Sequence, residues 1–331
     1  MTGPLVVVGD ALLDIDLDGT SDRVAPDAPV PVVNCTGEHA RPGGAGLAAL
    51  LAAREGREVV IVTALGDDDA GQTLWRLLSR RVRVVRLPLR GRTPSKIRIR
   101  ARSQTLLRLD VGEGVAGSGP VGSAVLDALR SASAVLVSDY GRGVTAHPVL
   151  RSYLARVAAS APTVWDPHPR GAPPVAGAAL ATPNESEAAA LSPGHLRTPQ
   201  EHAAHLARQW GAEAVAVTLG AKGALLSTGS GTPLTVPASP AGPAADTCGA
   251  GDSFAVAAAW ALADGLPTGE ATARAVQASS EYVAGGGVTT LFEGDTPQRG
   301  RRQSRPRIWD ALTALDDPRK EKVTWTVPEE C

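Results

Sequence analysis

Short apolar runs recur along this chain, each stopping at a glycine or a polar residue and each followed by a helical stretch. Leu5-Val6-Val7-Val8 ends at Gly9-Asp10, and Val59-Val60-Ile61-Val62 follows an Ala/Leu-rich helix over 45–54. Further runs stand at 134–137, 163–165 and 214–218, with helical stretches over about 70–79, 121–130, 149–159 and 200–210 between them. A strand that does not alternate is buried on both faces, the condition inside a parallel sheet covered by helices. The order predicts an α/β fold with a doubly wound, mainly parallel sheet flanked by helices. Aromatic residues make up only 3% of the chain, so Ala, Val and Leu must fill the core. In such a fold, ligands bind outside the carboxyl ends of the strands.

Two segments break the rhythm. Residues 12–38 are rich in Asp and Pro, with a β-prone piece at Ala28-Pro29-Val30-Pro31-Val32-Val33. Residues 86–112 hold two alternating stretches, Lys96-Ile97-Arg98-Ile99-Arg100 and Leu106-Leu107-Arg108-Leu109-Asp110. Both read as strands of a small β-sheet lid on a domain spanning 1–297. Beyond it, Arg299, Arg301, Arg302, Arg305 and Arg307 open an Arg-rich, charged C-terminal tail over 298–331. That tail reads as a solvated appendage rather than a nucleic-acid site.

Several function classes drop out. Lys+Arg 33 against Asp+Glu 34 gives a net charge of -1, so no global field draws nucleic acid or an anionic membrane. Cys35, Cys248 and Cys331 are too scattered for a disulfide framework or a metal knot. No apolar run is long enough to span a membrane and no leader pattern opens the chain, so a cytoplasmic location is expected.

The chemistry concentrates near the C-terminal end. Asp246-Thr247-Cys248-Gly249-Ala250-Gly251-Asp252-Ser253 runs straight into the apolar stretch 254–260, which reads as a loop opening a helix. Gly249, Ala250 and Gly251 leave backbone N–H groups uncovered where the helix dipole favours an anion. Asp252 stands where it could take a proton from an attacking hydroxyl. Taken alone, the same residues also describe an ordinary N-capped turn. A nucleophilic role for Cys248 fits poorly, because its neighbours suit phosphate better than acyl chemistry.

Six other patterns decorate strand ends or helix starts. They are Gly9-Asp10 with Asp14, Arg41-Pro42-Gly43-Gly44-Ala45, Ser138-Asp139-Tyr140 and Trp165-Asp166-Pro167, followed by Thr182-Pro183-Asn184-Glu185-Ser186-Glu187 and Thr218-Leu219-Gly220-Ala221-Lys222-Gly223. Each alone is a common turn; acidic and Gly-bearing ends on one face of one sheet are not.

Together these patterns resemble the ribokinase-like (pfkB) carbohydrate kinases over roughly residues 4–297. No G-x-x-x-x-G-K-[ST] is present, so this is not a P-loop kinase. The run Asp22-Arg23-Val24-Ala25-Pro26-Asp27-Ala28-Pro29-Val30-Pro31-Val32 is similar to the bacterial D-glycero-D-manno-heptose 7-phosphate kinases. So are Arg41 to Ala45, Lys96-Ile97-Arg98 with Arg102, Gln104 and Arg108 to Asp110, and Ser138 to Gly143. That group is often fused to a nucleotidyltransferase that makes ADP-heptose. No H-x-G-H-type motif follows here, and the expectation is a stand-alone kinase.

The resemblance implies an ATP-dependent kinase that phosphorylates the 1-hydroxyl of heptose 7-phosphate for nucleotide-activated heptose synthesis. Asp252 would be the base, with Gly249, Ala250 and Gly251 as the anion hole. Asn184 and Glu187 would organise Mg²⁺ and the phosphates, partly through water, while Thr218, Gly220 and Lys222 would line the nucleotide channel. Asp246 and the Gly285-Gly286-Gly287-Val288-Thr289 stretch would serve a monovalent cation such as K⁺. Asp10, Asp14, Gly43, Gly44 and Asp139 would face the sugar, with Lys96, Arg98 and Arg108 as partners for its phosphate. Lys96, Arg98, Arg100 and Arg102 share one strand face; a cationic row suits phosphate, and it equally suits a solvated lid edge. The expected partners are a small-molecule sugar phosphate, ATP and a second copy of the chain paired through the lid.

Three residues depart from the group's pattern. Leu47 stands where Asn is usual, His168 where Lys is usual and Cys248 where Thr is usual. They keep two alternatives in view: a kinase for another sugar, sugar phosphate or nucleoside, and a catalytically silent sugar-phosphate sensor.

Overall fold

The computed structural model describes residues 3–102, 104–240 and 246–288. The chain opens with β1 (Leu5–Gly9) and turns at Asp10 into a long hairpin, β2 (Ala11–Val24) and β3 (Pro31–Gly44). Helix α1 (Ala45–Ala53), β4 (Val59–Leu65), α2 (Asp69–Leu78) and β5 (Arg83–Arg90) follow. A second hairpin, β6 (Ser95–Ala101) and β7 (Gln104–Val111), precedes β8 (Val115–Ala116). Next come α3 (Ser123–Ser131), β9 (Ala134–Ser138), α4 (Pro148–Ala158), β10 (Thr163–Asp166), β11 (Leu180–Ala181), α5 (Glu185–Ala190) and α6 (Pro199–Trp210). The described chain closes with β12 (Val215–Thr218), β13 (Ala224–Ser227), β14 (Leu234–Val236), α7 (Ala250–Ala263) and α8 (Thr268–Ala284).

A ten-stranded sheet runs β14-β13-β12-β11-β10-β9-β1-β4-β5-β8. Every pair from β12 to β5 is parallel; β13, β14 and β8 are antiparallel additions at the two edges. This is the doubly wound, mainly parallel architecture expected from the apolar runs. All five residues of β1 are buried, and Val6, Val8, Val135 and Val137 have no exposed surface, as strands covered on both faces require. Burying each such Val contributes about 1.5–3 kcal/mol. From β1 the chain proceeds to β4 on one side and later returns through β9 on the other, so the strand order reverses between β1 and β9. The crevice outside their carboxyl ends is the natural ligand position.

Helix α7 is buried along nearly all its length, from Asp252 to Ala263, and packs on α8, α1, β9 and β10. Its sequence is correspondingly apolar all round, and its small Ala residues permit close approach.

The two hairpins form a separate four-stranded sheet in the order β3-β2-β6-β7. Its strands differ somewhat from the expected ranges. The first excursion covers Ala11–Gly44 rather than 12–38, and the first residues of 86–112 belong to β5, which pairs with β4 in the large sheet. Strands β2 and β6 run parallel, with Asp14 opposite Lys96, Asp16 opposite Arg98 and Asp18 opposite Arg100. Along β2, Leu13, Ile15 and Leu17 alternate with these acids and are buried, as is Ile97 on β6. One face is therefore apolar and the other is a ladder of opposite charges.

The cationic row is thus largely neutralised from within. Arg98 lies 2.9 Å from Asp14 and 3.7 Å from Asp16, and Arg100 lies 3.8 Å from Asp16 and 3.9 Å from Asp18. Arg41 on β3 adds a buried ion pair to Asp16. Arg102 meets Asp22 at 3.0 Å. Val24, Val30, Leu106 and Leu107 leave apolar surface exposed on this sheet. Among the described residues, no helix is long and apolar enough to cross a membrane. The Arg-rich stretch over 298–331, and Thr289, lie outside the described residues.

Candidate functional site

The carboxyl end of β1 delivers Asp10, whose carboxylate accepts from the backbone N–H of Tyr140 (3.0 Å), Arg142 (2.9 Å) and Val144 (3.1 Å). Asp139, at the end of β9, accepts from the N–H of Gly141 (2.7 Å) and Ala172 (3.1 Å) and from the Thr145 hydroxyl. Both acids are buried, and burial raises both pKa values above the ordinary carboxylate range. Their oxygens are spent on shaping the loop after β9. That loop presents Tyr140.

Tyr140 Oη donates to Asp252, 3.1 Å from Oδ1 and 3.3 Å from Oδ2. Asp252 sits in the first turn of α7 and is 7% exposed. Burial pushes its carboxyl up to about 7; the Tyr140 hydrogen bond opposes that rise, and the negative charges of Asp14 and Glu187 reinforce it. A carboxylate near pH 7 is matched to proton abstraction at neutral pH.

The loop before α7 leaves the Gly249 and Gly251 N–H groups open, while the Ala250 N–H donates to the Thr247 carbonyl (3.1 Å). Gly249 is the N-cap with φ +82°, and no side chain caps the helix. A Cβ at Gly249 would lie 2.7 Å from Tyr282 Oη and 2.9 Å from Leu47 Cδ2, so both backbone angle and space demand glycine. Tyr282 on α8 donates to the Cys248 carbonyl (2.8 Å), and the Asp246 carboxylate accepts from the Cys248 N–H (2.9 Å), fixing the loop at two points. Uncapped N–H groups at the start of a 14-residue helix make a ready anion site. Burial raises the Cys248 thiol pKa, which favours the protonated form.

The end of β3 closes the opposite wall. Gly44 has φ +59°, and a Cβ there would stand 3.2 Å from the Tyr140 ring. Gly43 packs directly on the Asp14 carboxylate, which is buried and held by Arg98. Leu47, one turn into α1, lies against Gly249 as an apolar wall.

On the other flank, Asn184 and Glu187 form a capping box at the start of α5. Asn184 Oδ1 accepts from the Glu187 N–H, and Glu187 Oε2 accepts from the Asn184 N–H, both at 2.9 Å. A backbone bridge aligns Asn184 with Thr218 at the end of β12; Gly220 and Lys222 follow in an exposed turn. Asp166, at the end of β10, accepts from the Thr182 hydroxyl (3.0 Å). Its pKa is driven well above the ordinary value by burial and then by the negative Asp252 and Glu187. Three mutually repelling carboxyls, Asp166, Glu187 and Asp252, therefore border this flank, each with its pKa raised chiefly by burial.

A cavity of about 300 Å³ opens beside α8, lined by Pro237, Ser239, Val276, Gln277, Ser280 and Glu281 among others. Tyr282 of the same helix holds the Cys248 loop, so cavity and anion site share one support. No sequence motif marks these residues; only the packing of α8 near β14 brings them together.

The predicted basic partners separate. Arg98 is paired with Asp14, and Arg108 forms a fork with Asp110 at 2.8 and 2.6 Å. Lys96 instead lies with Nζ 5.6 Å from the Tyr140 ring centroid.

The chain is similar to known proteins in sequence and in fold. The sequence profile described as pfkB family carbohydrate kinase matches residues 4–293. The chain is 50% identical over 321 residues to the bifunctional protein HldE of Streptomyces coelicolor, covering 95% of this chain and 65% of that protein. It is 34% identical over 301 residues to the bifunctional protein HldE of Caulobacter vibrioides, covering 87% of this chain and 62% of that one. The chain thus spans just under two thirds of the length of these relatives. Among solved structures, Arabidopsis thaliana ribokinase complexed with ribose and ATP superposes with a TM-score of 0.65 at 23% identity, covering 86% of this chain and 93% of that one. Ribokinase from Thermotoga maritima gives 0.66 at 22% identity, with coverage of 87% and 95%. These two likenesses establish the fold.

Proposed function

The chain belongs to the pfkB family of carbohydrate kinases, and we propose that it transfers the γ-phosphoryl group of ATP to the 1-hydroxyl of D-glycero-D-manno-heptose 7-phosphate. Membership makes it a phosphotransferase with an alcohol group as acceptor, using ATP. Asp252, hydrogen-bonded to Tyr140 at the mouth of an uncapped helix, is the observation that carries the phosphoryl-transfer chemistry. The heptose assignment is supported by the motifs of the sugar-facing half and by likeness to the HldE proteins.

In this reading Asp252 takes the proton of the sugar hydroxyl as its oxygen forms the new bond to phosphorus. The bond from that phosphorus to the β-phosphate bridge breaks, and ADP leaves. The open amides of Gly249 and Gly251 hold the charge on the migrating group, while the Ala250 N–H, expected in the same role, is already spent on the Thr247 carbonyl. A positioned base contributes about 10²–10⁴-fold, and one anion-hole donor about 2.7–4 kcal/mol. Asp14, Gly43 and Gly44 face the sugar, with Arg98 fixing the Asp14 carboxylate. Asp10 and Asp139 act one step back, by holding the loop that presents Tyr140.

Glu187 and Asn184 at the start of α5 would offer oxygen donors to Mg²⁺, in part through water. The ion supplies neutralisation of phosphate charge when bound. Thr218, Gly220 and Lys222 border the nucleotide path, and the cavity beside α8 takes the base. Asp246 with the 285–288 turn serves a monovalent cation such as K⁺. The exposed Val24, Val30, Leu106 and Leu107 support pairing of two lids in a homodimer. A cytoplasmic location accords with a sugar phosphate and ATP as substrates.

Leu47 favours a second reading, in which the acceptor is another sugar or sugar phosphate: an apolar wall against Gly249 cannot hydrogen-bond a hydroxyl. ADP release over a panel of heptose 7-phosphate, unphosphorylated heptose, fructose 6-phosphate and ribose separates the two. Heptose 7-phosphate should give the highest kcat/KM. Equal turnover of unphosphorylated hexoses would sink the heptose reading.

A further inference from the structure

The basic residues around the site divide by whether they already have a counter-charge. Arg98, Arg100, Arg102 and Arg108 each lie within 4 Å of a carboxylate. Recruiting Arg98 to a ligand would strand the buried Asp14, and an unpaired buried charge is strongly unfavourable; Arg100 is already shared between Asp16 and Asp18. Lys96, nearer the large sheet on β6, forms no ion pair among the described residues. Nor do Arg142, two residues past Tyr140, or Arg170, two residues past His168.

These three cations converge from β6, the loop after β9 and the loop after β10. Lys96 Nζ lies 5.6 Å from the centre of the Tyr140 ring, and the His168 ring stacks on it at 6.5 Å. His168 Nδ1 accepts from the Arg170 N–H at 3.1 Å. A Cβ at Gly141 would lie 3.1 Å from His168 Nδ1 and 2.9 Å from Arg170 Cβ, so the two loops are in contact. Burial and the positive charges of Arg170, Lys96 and Arg142 all press the His168 pKa downward. Asp110, which feels both Lys96 and Arg142, is already engaged by Arg108. Asp10 and Asp252 act on this cluster from a distance, but among the described residues none of the three cations has a carboxylate in direct contact.

We propose that Lys96, Arg142 and Arg170, gathered around Tyr140 and His168, form the subsite for the phosphate the sugar already carries, and that this subsite sets the preference for a phosphorylated acceptor. The inference rests on the kinase reading above and assigns its acceptor selectivity to residues other than the paired lid arginines. A phosphate monoester dianion is the ligand such a set fits: Arg supplies forked donors and Lys a point charge. Tyr140 then spans the acceptor, its hydroxyl at the base and its ring beside the anchored phosphate.

The test compares kcat/KM for heptose 7-phosphate with kcat/KM for the same heptose lacking phosphate. Lys96→Met and Arg142→Met should each reduce the ratio about 10- to 100-fold, the range for a lost charge-assisted hydrogen bond. The double variant should bring the ratio close to one, and Lys96→Arg should largely restore it. Arg23→Met, which removes an exposed lid charge, should leave the ratio as in the wild type. If the double variant fails to fold, the single variants and the Lys96→Arg rescue decide. A ratio that survives loss of both charges overturns the subsite alone. So does a rise in KM for ATP with sugar selectivity intact, because the cations would then serve the nucleotide. A wild-type enzyme with no preference for the phosphorylated sugar overturns the acceptor reading and this subsite with it.

Discussion

Asp252→Asn separates the electrostatics of the site from its catalysis. The Asp252 carboxyl is pushed up to about 7 from an ordinary value of 3.8, chiefly by burial. Ionising it in the fold rather than in the unfolded chain therefore costs about 4 kcal/mol. Below pH 3.8 both states hold the proton and the cost vanishes. Between 3.8 and about 7 the unfolded chain releases its proton while the folded protein keeps it, so stability drains as pH rises. Above about 7 both are ionised and the loss stays constant. An amide never ionises and can still accept from Tyr140. The stability of Asp252→Asn relative to wild type should accordingly grow by about 4 kcal/mol from pH 4 to pH 8, then level off. Urea unfolding across that range reads this out, with ADP-release assays alongside. Turnover should fall by at least about 10²–10⁴-fold, while stabilisation of the fold by ADP persists. A pH-independent stability difference would refute the raised pKa, and wild-type turnover would refute the assigned base.

Three further substitutions probe neighbouring elements. Tyr140→Phe removes a donor that favours the ionised Asp252, so the acid limb of the pH–rate profile should move to higher pH, with activity at pH 6 down about tenfold and recovered near pH 9. Gly249→Ala forces a side chain onto a φ of +82° and against Tyr282 and Leu47; thermal unfolding should show a loss on the order of 1–3 kcal/mol, with turnover falling too. Arg41→Met strands the buried Asp16, partly relieved by Arg98 and Arg100, and should cost about 3 kcal/mol in urea unfolding. The exposed Arg102–Asp22 pair provides the contrast: Arg102→Ala should change stability by no more than about 1 kcal/mol.

What the sequence reveals depends on whether the cause is local. Strands β1, β4 and β9 are legible because burial on both faces leaves uninterrupted apolar runs, and their ends mark the ligand face without further information. The loop from Asp246 to Asp252 is legible for the same reason: its small residues and its carboxylate lie within one turn. The charge ladder is not. Asp14, Asp16 and Asp18 look like loop composition until β6 is laid beside β2 in register, and only then do the lid arginines lose their availability. Asp10 shows the same limit, since its three amide partners lie about 130 residues away and no spacing announces them. Helix α8 and its cavity carry no motif, so the space beside Ser280 emerges only from packing. The N-x-x-E pattern has a purely local component as well, because Asn184 and Glu187 complete each other's hydrogen bonds.

The small sheet joins the body of the protein along a single side, and Asp14, Lys96 and Gly43 all lie near that attachment, while Val24 is at the far end of β2. At about 3.3 Å per residue, Asp14 sits roughly 10 Å from the start of its strand and Val24 roughly 40 Å from it. A swing about that root which carried the tip through ~12 Å would shift Asp14 by only about 3 Å. The geometry works as reduction gearing: coarse travel at the rim becomes fine adjustment beside the fulcrum, where Asp14, Lys96 and Gly43 are mounted.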